Sequence, residues 1–301
     1  MTPSYNQPRF CFNTTWNSIP TTFAGQSFVG ANPTGIFVNS NNSIYILNRE
    51  AGKIHIWQNE NDLNPTKSIS SSLTDSSSLF VTTNGDIYVD NGYKGYVNKW
   101  IVENETWISV MNVPSQCYGL FIDIYDNLYC SMAGNHRVDQ KWSNGTTTVV
   151  AGTGVEGSKS NMLNGPNGIF VDINLDLYVA DMGNNRVQLF RLNQRNGTTV
   201  AGKKSANVTI VLFFPTGIVL DGDQHLFIIE AQNRIIGSDE NGFRCIFGCS
   251  GNGSPKSEVM FYVSMSFDSY GNIYVIDPEN NKVQKIVKNQ VCSKFFSFDL
   301  K

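Results

Sequence analysis

The chain has 301 residues, of which 41% are hydrophobic and 12% aromatic, enough to bury a substantial core. Only 16% are charged and the net charge is −3, which argues against a broad electrostatic footprint for nucleic acid or anionic lipid. No stretch reaches the length of a membrane span: the most apolar, Val208 to Phe214, ends at Pro215 and is strand-sized.

The first residues, Met1 to Asn6, have neither the basic start nor the apolar run of a secretory signal. Residues 1–19 are read as an N-terminal segment. After them one pattern returns six times: a small polar lead-in, a short apolar strand, a turn, and an aromatic-led strand. The first copy is Pro33-Thr34-Gly35-Ile36-Phe37-Val38 followed by Tyr45-Ile46-Leu47. The aromatic anchors are Tyr45, Tyr88, Tyr129, Tyr178, Phe227 and Tyr274, spaced roughly 41 to 49 residues apart, as in propeller blades. Between copies one and two, Ser68 to Ser78 reads as a long loop around a weak outer strand.

Copy four is the clearest. Strand A runs from Gly168 to Asp172 and strand B from Leu177 to Ala180. A polar turn at Asp181 to Asn185 leads into strand C, Arg186 to Leu192, and strand D is Thr198 to Ala201. No stretch shows helical periodicity. Copy six supplies Ser264–Phe267, Asn272–Ile276 and Lys282–Val287 but no obvious fourth strand. Pro20 to Gly25 matches the outer strands Thr147–Gly152 and Thr198–Gly202. The expected fold is therefore an all-β, six-bladed β-propeller of four-stranded antiparallel blades, its ring closed by an N-terminal strand. The domain spans residues 20–290, with a tail at 291–301.

The six cysteines allow three pairs. Cys245 and Cys249 suit a small disulfide loop, Cys117 and Cys130 sit on neighbouring strands, and Cys11 and Cys292 lie near termini that a propeller brings together. The alternative is six buried thiols in a reducing compartment. Oxidised pairs point to an extracellular or cell-surface ectodomain, reduced ones to the cytoplasm. Sequons at Asn13, Asn41, Asn104, Asn144, Asn196, Asn207 and Asn252 permit a secreted glycoprotein without demanding one.

The lead-in Pro-x-Gly-Ile-x-Val-Asp, the Tyr-Val-x-Asp strand end and the Asn-x-Arg-Val-Gln turn resemble NHL-repeat proteins, a six-bladed propeller family. The best matches are Asp181 to Gln188 and Asp277 to Gln284. Asn135-His136-Arg137-Val138 is a variant, and copies one (Asn48 to Lys53) and two (Asp90 to Gly95) depart at the turn. The resemblance implies the fold; function sits in sites grafted on it. Peptidyl-hydroxyglycine lyases have an NHL-like propeller with zinc-binding histidines near the strand starts. The corresponding lead-ins here are Thr34, Gln116, Asn167, Thr216 and Tyr262, none of them histidine.

Other motifs yield to plainer readings. Gly152-x-Gly154-x-x-Gly157 lacks the strand-then-helix context of a dinucleotide site. The recurring Asp90, Asp181 and Asp277 read as turn caps, with the basic residue of the turn pairing nearby. His55, His136 and His225 fall on separate parts of their blades and do not form a three-histidine zinc site. Glu50, Asp181, Glu230 and Asp277 make no local calcium cluster. The expectation is a non-catalytic binding or scaffold module without a cofactor. It would recognise a protein, peptide or glycan through turns on one disc face around Tyr93, His136, Asn185, Asn233 and Asn280. The alternative is a calcium- or zinc-dependent hydrolase or lyase with its site in the central channel.

Overall fold

The computed structural model describes residues 3–11, 13–70, 73–203, 205, 210–231, 234–249 and 263–289. Six four-stranded antiparallel sheets form a ring, a six-bladed β-propeller. Blade 1 comprises Ile36–Val38, Ile44–Asn48, Lys53–Trp57 and Lys67–Ser70. Blade 2 comprises Leu79–Val81, Ile87–Asp90, Tyr96–Ile101 and Thr106–Asn112. Blade 3 begins at Gly119–Ile122, blade 4 at Pro166–Val171 and blade 5 at Pro215–Leu220. Blade 6 has Met265–Phe267, Ile273–Asp277 and Lys282–Ile286.

The fourth strand of blade 6 is Thr21–Ala24, which pairs antiparallel with Lys282–Ile286 through Thr21↔Lys285 and Thr22↔Gln284. The N-terminal strand thus closes the ring, as its likeness to the other outer strands predicts. A single helical turn, Gln26–Val29, follows it and ends at Gly30 with φ +70°. It carries too few residues to show a helical period in the sequence.

The repeat residues have structural reasons. The Asp that ends strand A closes the A–B turn: Asp123 accepts N–H bonds from Tyr125 and Asn127, and Asp172 from Asn174 and Asp176. Asn39 does the same for Asn41 and Ser43. The lead-in glycine is a packing requirement. A Cβ on Gly168 would lie 2.6 Å from the Thr216 carbonyl oxygen, so the innermost strands of blades 4 and 5 approach more closely than any other residue permits.

Residues before the closing strand thread beneath the ring. Tyr5 bridges to Asn39, Asn6 donates to the Asn39 carbonyl at 2.7 Å and to that of Phe267 at 3.1 Å, and Gln7 donates to the Asp221 carbonyl at 3.2 Å. The Tyr5 ring enters the channel, 5.3 Å from Phe121 and 5.1 Å from Phe170. Phe10 and Trp16 pack on Phe227 of blade 5, and Phe10 also reaches Phe267 of blade 6.

Disulfides join Cys117 to Cys130 and Cys245 to Cys249, with Cα separations of 5.2 and 6.2 Å. The Cys11–Cys292 pairing falls outside the described residues, because Cys292 does. The sequons at Asn13, Asn41, Asn104, Asn144 and Asn196 are exposed; Asn207 and Asn252 are outside the described residues.

Deleting residues 1–26 removes the closing strand and the Tyr5 plug together and is expected to abolish cooperative unfolding. Tyr5→Ala alone should lower the melting temperature by about 5–10 °C, the loss of a packed aromatic ring in a domain of this size. An unchanged thermal melt of Tyr5→Ala would show that the plug contributes nothing to the ring.

Candidate functional site

The strand-A starts of all six blades converge on the axis. They line a funnel of about 310 Å³ on the face that carries the B–C turns. Its lower end is closed by apolar rings. Phe37, Phe80, Phe121 and Phe170 hold equivalent positions on strands A of blades 1 to 4, each paired across to its blade's tyrosine anchor. Their centroids step round the axis at 4.9, 5.0 and 5.0 Å, and Tyr5 fills the space between them. Val219 and Ser266 take the same position in blades 5 and 6.

The register corrects two of the lead-in positions read from the sequence. The residue equivalent to Thr34 is Tyr118 in blade 3, not Gln116, and Val263 in blade 6, not Tyr262. The loop entering blade 3 is held by the Cys117–Cys130 disulfide, which sets Gln116 and Tyr118 on either side of Cys117. Tyr262 lies outside the described residues. Around the funnel, Thr34, Ser77, Tyr118, Asn167, Thr216 and Val263 therefore form the upper ring of equivalent side chains.

One wall differs from the rest. Arg49, Ser77, Tyr93, Gln116 and Tyr118, from blades 1 to 3, bring its polar groups together. Tyr93 stands on the one-turn helix Gly92–Lys94 and is 81% exposed; Tyr118 is 38% exposed. Gln116 donates to the Asp75 carbonyl at 2.9 Å and to the Ser77 hydroxyl. Behind this wall Asp90 is fully buried and accepts N–H bonds from Ser77, Ser78 and Gly92 at 2.6, 2.8 and 3.0 Å. Burial outweighs these bonds and pushes the Asp90 carboxyl up to about 7, with Arg49 close enough to oppose the shift. Burial also raises the Tyr118 hydroxyl, assisted by Tyr93 and Asp90, so it remains a donor at neutral pH.

The other predicted turn residues are engaged within the protein. His136 and Asn185 sit in the left-handed region, with φ 48° and 53°. The His136 Nδ1 accepts the Gly165 N–H at 3.1 Å, and the Asn185 side-chain oxygen accepts that of Phe214 at 2.8 Å. Asn281 does the same for Asn32 at 3.0 Å. Each bond ties one blade's B–C turn to the lead-in of the next. Asn280 donates to Asp277 at 2.9 and 3.0 Å. Asn233 lies outside the described residues. Only Tyr93 of these residues lines the funnel.

Asp181, Glu230, Glu50 and Asp277 each serve a separate turn. Asp181 accepts from Asn164 N–H and pairs with buried Arg186 at 2.6 Å. Glu230 accepts from Phe213 N–H and pairs with Arg234 at 2.6 Å. Glu50 accepts from the Ala31 N–H, and Asp277 from Asn280 and Gln284. His55 meets Ser68, and His225 meets Asp221 on the opposite face. Among the described residues no three His, Cys, Asp or Glu side chains group together, and none of these types lines the funnel.

Sequence reasoning missed Arg49, Ser77, Tyr118 and the Tyr5 floor. A signal for the first was present: copies one and two depart from the repeat at the turn, which is where Arg49 and Tyr93 stand.

No protein-family model matches the chain, and no curated protein matches it. Solved structures do. A streptogramin B lyase is 14% identical over 90% of this chain and 98% of its own, with a TM-score of 0.63. A candidate gluconolactonase is 12% identical over 96% and 98%, with a TM-score of 0.60. An auxiliary nutrient-binding protein from Bacteroides thetaiotaomicron is 12% identical over 96% and 76%, with a TM-score of 0.59. At these identities the likeness shows the fold, and the fold serves both catalysis and binding.

The Asp90 carboxyl binds its proton more tightly in the folded chain than its ordinary value of 3.8. Its contribution to stability therefore declines as pH rises from about 4 to about 7 and is level above that. Asp90→Asn, which removes the titrating group but cannot accept from Gly92 at its nitrogen, should show a melting temperature that changes less than the parent's between pH 4 and pH 8. Parallel melting curves across that range would rule out a titrating Asp90.

Proposed function

We propose that this chain is a non-catalytic recognition propeller of the NHL-repeat type, and that it binds a peptide, protein or glycan group at the funnel on its B–C-turn face. The observation that carries the reading is the lining. It combines hydroxyls, amides, tyrosine rings and one guanidinium over an apolar floor, and it holds no carboxylate or imidazole among the described residues. Such a surface can hydrogen-bond and stack, but among the described residues it offers no carboxylate or imidazole base and no carboxylate ligands for a hard cation. At about 310 Å³ it stands at the small end of ligand pockets, which run from roughly 300 to 1,000 Å³, so it suits a small molecule or the end of a larger one.

An extracellular or cell-surface setting belongs to the same proposal. Two disulfides support it, and five exposed sequons are compatible with it. The second reading, a channel-metal hydrolase or lyase, draws on the lyase and the candidate gluconolactonase that share the fold.

The two readings separate in one set of measurements. Peptide and glycan arrays should return a ligand that the Tyr93→Ala/Tyr118→Ala double variant binds at least tenfold more weakly, with its melting temperature unchanged. Ligands that bind the double variant as well as the parent would place recognition elsewhere. Stoichiometric calcium or zinc, together with EDTA-sensitive turnover of lactones or esters, would establish the enzymatic reading instead.

A further inference from the structure

Arg49 is the one charged side chain among the described residues that line the funnel. It is half-buried, and no carboxylate forms an ion pair with it among the described residues. Other arginines in buried or half-buried settings are treated differently. Arg186 and Arg234 each hold a carboxylate at 2.6 Å, and Arg137 meets Asp139 at 2.9 Å. A guanidinium partly withdrawn from water without an anion is unfavourable unless something else supplies the charge.

Asp90 is close enough to act electrostatically on Arg49. Its two oxygens are already committed to three backbone N–H groups, and burial favours its neutral form. It therefore leaves much of the arginine charge unanswered. Tyr93 and Tyr118 stand on the same wall, and Arg49, Asp90 and Tyr93 all act on the Tyr118 hydroxyl. Neither tyrosine hydroxyl donates to a protein acceptor among the described residues. The site thus presents a planar cation and two hydroxyl donors on one side. Below them lies an apolar floor made by Phe37, Phe80, Phe121, Phe170 and Tyr5.

From this juxtaposition we infer that the funnel binds a carboxylate carried on an apolar body: Arg49 pairs with the carboxylate, Tyr93 and Tyr118 flank it, and the apolar part descends towards the phenylalanine collar. This rests on the funnel being a binding site and names the ligand chemistry it selects. A free small acid and the C-terminal residue of a peptide present the same chemistry. A neutral sugar lacks the charge.

The test labels the protein with 3-fluorotyrosine and follows the Tyr93 and Tyr118 resonances by fluorine NMR. The probes are 3-phenylpropionate against 3-phenylpropionamide, and Gly-Gly-Phe against Gly-Gly-Phe-amide. Each acid should bind at least tenfold more tightly than its amide. Arg49→Gln should erase that difference, and Arg49→Lys should retain part of it because it keeps the charge without the planar fork. Thermal melts of both variants confirm that they fold. Tighter binding of Gly-Gly-Phe than of 3-phenylpropionate identifies a peptide terminus as the source; the reverse order identifies a free acid. Acids and amides that shift both tyrosines equally, or an acid preference that survives Arg49→Gln, would overturn the inference while leaving the funnel a binding site. No shift with any probe would count against both.

Discussion

A four-stranded blade has two apolar faces and too little bulk to hide either, so every blade depends on its neighbours. That single constraint organises the molecule. It explains why the core runs as connected apolar clusters across the blade seams rather than as six separate ones. It also explains why the ends of the chain matter so much. The ring has no covalent link between the third strand of blade 6, Lys282–Ile286, and its fourth, Thr21–Ala24. It is closed by Thr21–Ala24 adding to the last blade and by Glu60 of blade 1 reaching Tyr274 at 2.8 Å and Lys285 of blade 6. The bond to Lys285 and Tyr274 holds the Glu60 carboxyl below the usual range despite its partial burial.

The same constraint turns the B–C turn into a joint. A left-handed residue is needed where the turn closes, and Asn, Gly and the occasional His tolerate it. In blades 3, 4 and 6 that residue carries a side-chain acceptor, which seizes the N–H that precedes the next blade's lead-in. In blades 1 and 2 the position is Gly52 and Gly95, with φ 58° and 78°, and no side chain can reach across. Those two seams are tied by a different network instead. Thr34 donates to the Ser76 carbonyl at 3.1 Å, Ser78 to that of Cys117 at 2.7 Å, and Gln116 reaches back to Asp75. Asp90 and the Cys117–Cys130 disulfide anchor this network. The wall that departs from the repeat is thus the wall that bears the polar and aromatic side chains of the funnel.

This division also sets what could be read from the sequence. Blade number, strand order and ring closure were legible because they repeat. The Pro-x-Gly lead-in, the strand-A aspartate and the tyrosine anchor recur, and recurrence marks packing. The candidate site was less legible: His136, Asn185 and Asn280 vary between blades, and the structure engages each in a joint to the next blade or a turn cap. Their variation is tolerated because several side chains can make the joint or cap the turn. Tyr5 was invisible for another reason. It precedes the first repeat, and only the three-dimensional path of residues 3–9 beneath the ring brings it to the axis. Arg49 required knowing which charged groups stand near its wall, which no local pattern can show.

Shared architecture therefore constrains chemistry only weakly in this fold. The axis is always available, because six strand starts must converge there, and closure makes it a concave surface whether or not it is used. What distinguishes one propeller from another is the short list of side chains at those starts and in the adjoining turns. Here the floor is sealed by aromatic rings, and Asp181 and Glu230 are turned into the seams as partners for arginines and backbone donors. The one guanidinium lining the funnel among the described residues is left facing the axis. Among the described residues, Asp181, Glu230 and Glu50 hold turns and lead-ins together and do not line the funnel. The loops that carry Tyr93, Gln116 and Tyr118 are tied down by the bonds that close the blade seams.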